Sequence, residues 1–129
     1  MKGDKLKTII QSFEDLEVYQ KLFRLHLEVN KLTLSFPKFE MYELGSQLRR
    51  SSNSVPANIA EGWNNNHINL YLEGINRAIG ELQETKHHLL VAHQKEYLDK
   101  SRFDNQISRY EESAKMLYGL RNSLRKFKP

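Results

Sequence analysis

The sequence contains no cysteine, so a disulfide framework and a thiolate zinc site are both excluded. It also lacks any apolar run close to the roughly 20 residues that a membrane-spanning helix needs. The first residues include several lysines but no apolar stretch after them, so they do not read as a secretory signal. Glycine-rich phosphate loops and a nucleophile elbow are missing as well. These absences predict a cytoplasmic protein with no membrane association.

The length and composition of the chain predict one compact domain. The 129 residues are 39% hydrophobic and 28% charged, which is typical of a single soluble domain with one core. The net charge of +4 and the pI near 9.3 favour an anionic partner only mildly, because acidic residues are also abundant. A basic surface that serves solubility alone explains the charge equally well.

The first predicted helix opens at Phe13 and carries two apolar stripes. Its first stripe, spaced alternately by four and three residues, is Val18, Leu22, Leu25, Val29 and Leu32. Beside it lies the second stripe, which consists of Leu16, Tyr19, Phe23 and Leu27. Together they make an apolar face wider than one neighbouring helix would bury, so we expect a further partner there.

Three more helices follow in the periodicity. The second, about 40 to 62, is rich in serine and alanine and contains Pro56, which predicts a kink and a closely approaching neighbour. Gly62 and the asparagines at 64 to 66 predict its end and a loop, while Trp63 is either a core residue or a subunit anchor.

The third predicted helix spans about 68 to 93, where Gly74 and Gly80 predict close helix contact. The fourth carries apolar residues from Phe103 to Leu124.

Matched helix lengths and short connections predict an all-α, antiparallel up-down-up-down four-helix bundle. We expect one domain over residues 13–125, preceded by a flexible basic leader over residues 1–12 and followed by a basic tail over residues 126–129.

One stretch also carries a family resemblance. Residues 54–62 read S-V-P-A-N-I-A-E-G after the pair Arg49 and Arg50. This run resembles the signature of the 23S ribosomal RNA intervening-sequence proteins, small bacterial four-helix bundles that are related to the accessory variability determinant of diversity-generating retroelements. The resemblance implies a homopentamer encoded within ribosomal RNA inserts or beside a reverse transcriptase, and in the latter setting nucleic-acid and polymerase binding. It marks five positions as fold-determining: Pro56, Asn58, Glu61, Gly62 and Glu81.

Catalysis and a metal site find little support in the sequence. Glu84 and His87 match one Glu-x-x-His motif of a di-iron bundle, but no other helix supplies the second copy. Glu61 and Glu81 could form an acid and base pair. The favoured interpretation is that they hydrogen-bond across helices or stabilise the kink at Pro56. We therefore predict a protein that is not an enzyme and has neither a metal nor another cofactor.

Basic residues indicate a nucleic-acid partner. The second helix carries Arg49 and Arg50, and no acidic residue follows Glu112 in the sequence. The predicted phosphate-binding residues are Arg49, Arg50, Arg121, Arg125, Lys126 and Lys128. Basic residues near a helix C-terminus also stabilise the helix dipole, so both explanations stay open. The predicted function is a non-enzymatic homo-oligomeric scaffold that binds RNA or DNA. The alternative is a protein-binding adaptor, for example for a reverse transcriptase, without nucleic-acid contact.

Overall fold

The computed structural model describes residues 10–63 and 67–127. These residues form four long helices, α1 (Glu17–Thr33), α2 (Leu44–Trp63), α3 (Ile68–Gln94) and α4 (Lys100–Arg125), and no strand is found among them. Each long helix packs against two others around a shared core, as in a helical bundle. The predicted all-α class and the number of long helices are confirmed.

The helix boundaries differ from prediction near the two short 3-10 helices, Phe13–Asp15 and Lys38–Glu40. The sequence predicts a helix that opens at Phe13, but Leu16 has an extended backbone, with φ −72° and ψ 125°, so the 3-10 turn ends there and α1 begins at Glu17. The predicted start of the second helix near Glu40 is likewise four residues too early. Of the predicted leader, loop and tail, residues 1–9, 64–66 and 128–129 lie outside the described residues.

The two stripes of α1 have different environments. Val18, Leu22, Leu25 and Val29 of the first stripe are buried in the core, and Leu32 is half-buried. In the second stripe, Leu16 and Tyr19 are half-buried, whereas Phe23 is 45% exposed and Leu27 53% exposed. The described residues of this chain therefore leave the second stripe partly uncovered.

Helices α2 and α3 approach closely along what we call the α2–α3 seam, formed by Ser51, Asn58 and Gly62 of α2 with Gly74 and Thr85 of α3. A Cβ atom on Gly74 would lie 2.6 Å from the backbone oxygen of Asn58 and 3.2 Å from the Cα of Gly62. The buried hydroxyls of Ser51 and Thr85 are 2.9 Å apart and hydrogen-bonded. The predicted close contact is therefore confirmed at Gly74.

At Gly80 the same prediction is wrong. A Cβ atom built on Gly80 meets nothing within 4 Å, and the residue is exposed. Gly80 lies six residues after Gly74, which turns it by about 240° around α3, away from the side that meets α2.

Helices α1 and α4 meet along the α1–α4 seam, formed by Lys21 and Glu28 of α1 with Gln106, Arg109 and Glu112 of α4. Lys21 donates to Glu112 over 2.7 Å, and Arg109 donates to both carboxylate oxygens of Glu28 over 2.5 and 2.7 Å. Gln106 adds a third bond to Glu28 over 2.9 Å. These two helices are the least closely packed of the neighbouring pairs, so polar side chains bridge the space between them.

A buried carboxylate fastens two connections at one end of the bundle. Glu40, which lies between α1 and α2, accepts hydrogen bonds from Lys95 Nζ and from the Tyr97 hydroxyl, each over 2.9 Å. Both donors lie in the connection between α3 and α4. The hydrogen bond from Lys95 lowers the pKa of Glu40, so the carboxylate stays charged. Within the described residues, none of the helices combines the length and apolar character needed to cross a bilayer.

Candidate nucleic-acid interface

Arg49 is held inside the fold rather than presented to solvent. Its guanidinium donates to the hydroxyl of Thr33 over 3.0 Å and to the backbone oxygen of Met41 over 2.6 Å. The side chain is half-buried, and it joins the start of α2 to the end of α1. Two of the five guanidinium N–H groups of Arg49 are thus engaged within the fold, which makes it a poorer candidate for phosphate than an exposed cation.

Arg50 is exposed, but two carboxylates of α3 surround it. It hydrogen-bonds with Glu84 and, over 3.3 Å, with Glu81. The hydrogen bond to Glu84, followed by that to Glu81, raises the pKa of Arg50. Glu84 also lies 3.2 Å from the ring of His88. Two negative charges against one positive charge make this patch unfavourable for phosphate, because the acids would compete for the same guanidinium.

The end of α4 has the opposite character. Arg121 donates to the side-chain oxygen of Asn76 over 3.0 Å, and its guanidinium lies 5.0 Å from the ring centre of Tyr118. Arg125 and Lys126 are exposed, and no ion pair with an acid forms at any of the three within the described part of the chain. We call Arg121, Arg125 and Lys126 the α4-end cluster. Lys128 lies outside the described residues.

Sequence reasoning missed the contribution of α3 to this surface. Arg125 lines a shallow depression with Asn69, Asn76 and Arg77, among other residues. Glu73, also in the depression, pairs with Arg77 over 3.1 Å. No local pattern could have found these neighbours, because they lie some 50 residues before Arg125 in the chain. The structure thus separates Arg49, Arg50 and Arg121, which already hydrogen-bond within the fold, from Arg125 and Lys126, which are exposed.

The signature residues lie on different parts of the fold. Gly62 is buried in the α2–α3 seam, and α2 continues without interruption through the buried Pro56. Asn58 donates to the backbone oxygen of Ser54 over 2.7 Å. Glu81 bonds across to Arg50, whereas Glu61 is exposed and lies about 16 Å further along α2 than Arg50 at 1.5 Å per residue. Glu61 and Glu81 therefore do not share a site.

In the single Glu-x-x-His motif of Glu84 and His87, the glutamate bonds with residues other than His87. Glu84 bonds with Arg50 and His88, while His87 is exposed. Among residues 10–63 and 67–127, no group of three or more His, Asp or Glu side chains is arranged to hold a metal ion.

Trp63 is half-buried and packs edge-to-face on Tyr71 of α3, with ring centres 5.2 Å apart.

Comparison with known proteins identifies the family. A family model described as 23S rRNA-intervening sequence protein matches residues 14–119, which is well over half of the chain and covers all four helices in whole or in large part. None of the curated proteins with which the chain was compared matches it significantly. The matched region includes the signature run in α2 and the α2–α3 seam that this run helps to form. The chain therefore belongs to the 23S rRNA-intervening sequence protein family.

Proposed function

We propose that this chain is a non-enzymatic, homo-oligomeric scaffold that binds RNA or DNA through the α4-end cluster. The observation that carries the proposal is that Arg121, Arg125 and Lys126 form no ion pair with acids in the described residues, at an end of the sequence without acids after Glu112. Unpaired cations of this kind attract phosphate and release counterions on binding. The family's description, which refers to an intervening sequence of 23S rRNA, supports an RNA partner.

The scaffold in this proposal is an antiparallel up-down-up-down bundle. Contacts between neighbouring helices support it, because residue numbers rise along one helix as they fall along its neighbour. In the α2–α3 seam, Ser51 meets Thr85 while Gly62 meets Gly74. In the α1–α4 seam, Lys21 meets Glu112 while Glu28 meets Gln106.

Assembly into a homo-oligomer, proposed as a pentamer, rests on the exposed part of the second stripe. Phe23 and Leu27 lie one turn apart on α1, and Leu34, 63% exposed, follows along the same line just beyond the end of α1. Covering these side chains with another copy would remove apolar surface from water. A ring of copies would also repeat the α4-end cluster, so that several clusters meet one nucleic acid at once.

Nucleic-acid binding is tested by fluorescence anisotropy with labelled RNA across a series of salt concentrations. We expect Arg125→Glu with Lys126→Glu to weaken binding at least about tenfold and to reduce the salt slope by roughly 2 per contacting protomer. The matched control, Lys38→Glu with Lys100→Glu, makes the same charge change at two exposed lysines outside the cluster and should retain the wild-type affinity. Equal losses of affinity in both variants, or an affinity that does not change with salt concentration, would contradict the proposed binding face.

Assembly is tested separately by analytical ultracentrifugation. We expect Leu27→Glu to reduce the mass of the assembly while the helical circular dichroism stays unchanged, because a charge on the second stripe cannot be buried unpaired. Leu90→Glu is the matched control, since Leu90 is comparably exposed but lies on α3. A wild-type protein that sediments as a monomer would refute this part of the proposal.

The adaptor hypothesis is favoured by a different observation. Phe39 is 72% exposed and Tyr42 85% exposed, and both lie in the connection between α1 and α2. Exposed aromatic side chains are enriched at protein interfaces. An adaptor, for example for a reverse transcriptase, should lose its partner in Phe39→Ser with Tyr42→Ser and show no salt-dependent RNA binding, which separates it from the scaffold.

A further inference from the structure

A cleft of about 560 Å³ opens between the second half of α1 and the beginning of α4, beside the α1–α4 seam. Glu28, Lys31 and Leu32 line it from α1, and Arg102, Asn105 and Gln106 line it from α4. Its volume lies within the range of small-molecule sites, which are concave and contain a few convergent polar groups.

Gln106, which lines the cleft, carries a side-chain acceptor of fixed orientation. Its side chain is only 5% exposed, and its Nε2 donates to Glu28 Oε1 over 2.9 Å. The hydrogen bond from Arg109 lowers the pKa of Glu28, so the carboxylate is charged and can only accept; this fixes the orientation of the amide. The carbonyl oxygen of Gln106 is buried and has no hydrogen-bond partner among the residues that the structure describes. A buried acceptor without a partner is costly, so a ligand that brings an N–H or O–H group would gain from meeting it.

The charge of the cleft favours an anion. Lys31 on one wall forms no ion pair in the described residues. Arg102 on the other wall has only a distant approach to Asp99, over 3.8 Å. The negative charge of Glu28 is engaged by both terminal nitrogens of Arg109. Two cations from two helices therefore line the cleft, and within the described residues neither has an acid closer than 3.8 Å as an ion-pair partner.

We propose that this cleft binds a nucleoside monophosphate. The phosphate lies between Lys31 and Arg102, the base donates an amino or imino N–H to the carbonyl oxygen of Gln106, and Leu32 contacts the base or the sugar. This ligand class combines an anionic group with a hydrogen-bond donor, the two properties for which the cleft supplies partners. The site uses none of the α4-end cluster and does not depend on it.

The test is a calorimetric titration of the full-length protein with adenosine 5′-monophosphate. We expect Lys31→Gln with Arg102→Gln to weaken binding at least about tenfold, because charge-assisted bonds to phosphate are lost. Lys38→Gln removes one charge from an exposed lysine that does not line the cleft, and it should bind like the wild type.

The contact with Gln106 is tested on the ligand side. Purine riboside 5′-monophosphate lacks the amino group of adenine, and we expect it to bind the wild type roughly tenfold more weakly. Gln106→Met, which removes the acceptor at similar volume, should abolish that preference. If Gln106→Met fails to fold, the comparison of the two nucleotides on the wild type still decides.

Three outcomes would overturn the proposal. They are no measurable heat with adenosine 5′-monophosphate, ribose 5-phosphate binding as tightly as the nucleotide, or a loss in Lys38→Gln as large as in the double variant. Because Lys31→Gln with Arg102→Gln leaves the α4-end cluster intact, RNA binding should persist in it. The cleft and the nucleic-acid face can therefore fail independently.

Discussion

The α2–α3 seam and the α1–α4 seam of this bundle are formed by different kinds of side chain. The α2–α3 seam uses glycine and small hydroxyl side chains, and a Cβ atom added to Gly74 would lie only 3.2 Å from the Cα of Gly62. The α1–α4 seam uses long charged side chains, such as the pair of Arg109 and Glu28. Close packing forms a rigid contact with little tolerance for added volume. Bridging by half-exposed ion pairs contributes less stability and leaves space, which here includes the cleft.

The largest effect should follow from filling the tight seam. Gly74→Ala places a methyl group 2.6 Å from the backbone oxygen of Asn58, which cannot move without displacing α2. We expect the free energy of unfolding to fall by about 2 kcal/mol, although alanine favours the helix by about 1 kcal/mol, because overpacking against backbone outweighs propensity. Urea denaturation at fixed protein concentration measures it.

The matched control is the same substitution at Gly80. No atom lies within 4 Å of the added methyl group, so only the helix propensity changes. We expect Gly80→Ala to raise the free energy of unfolding by up to about 1 kcal/mol. If both substitutions had the same sign, the α2–α3 seam would not be the close contact described above.

An intermediate effect should follow from removing one hydroxyl of the same seam. Thr85→Val keeps the shape but leaves the buried hydroxyl of Ser51 without its 2.9 Å partner. We expect a loss of about 1 kcal/mol in the free energy of unfolding, measured by urea denaturation. Ser54→Ala is the control, because that hydroxyl bonds only to the backbone of its own helix, at Arg50, and should matter less. An equal loss in the two variants would argue against a role of the interhelical bond.

The smallest effect should come from the loose seam. Arg109→Ala removes both bonds to Glu28, and we expect a loss of about 0.5–1 kcal/mol at neutral pH, since both side chains are more than a third exposed and solvent screens the pair. The pKa of Glu28 is lowered in the folded protein, so its contribution is present above the unfolded pKa of about 4.5 and is lost as the pH falls through the folded value. The difference from the wild type should therefore shrink below about pH 4.5.

Arg77→Ala provides the control for that experiment. Arg77 pairs with Glu73 one turn away on α3, so the pair joins no two helices. Thermal unfolding of both variants between neutral pH and pH 3 gives the comparison. A difference between Arg109→Ala and the wild type that stayed constant to the lowest pH would mean that Glu28 is not stabilised by Arg109.

Local spacing was sufficient to predict the helices. The four-and-three repeat of Val18, Leu22, Leu25 and Val29 identifies the buried side of α1, because burial repeats with the helical period. The sequence also predicted that the apolar face of α1 is wider than one neighbouring helix would bury, and Phe23 on that face is exposed. The ends of the helices were less predictable, since local backbone conformations such as that of Leu16 decide them.

The candidate site was only partly predictable. Periodicity assigns a residue to a side of its helix, but it does not fix how far one helix slides along the next. The acids that engage Arg50 lie 31 and 34 residues later in the chain, so their contact depends on that offset. Gly74, which meets α2, and Gly80, which does not, lie on different sides of α3, so the helical period alone could have told these two apart. Whether the basic residues bind nucleic acid stays a prediction.

The number of residues in the chain between the partners that meet at each seam affects the order of folding. Ser51 and Thr85 are 34 residues apart, whereas Glu28 and Arg109 are 81 apart. Closing the longer loop costs roughly 0.8 kcal/mol more in chain entropy, and the ion pairs it gains are weak. The contact between α2 and α3 should therefore form first during refolding. The contact between the first and last helices should form last and open most often, with correspondingly faster amide hydrogen exchange.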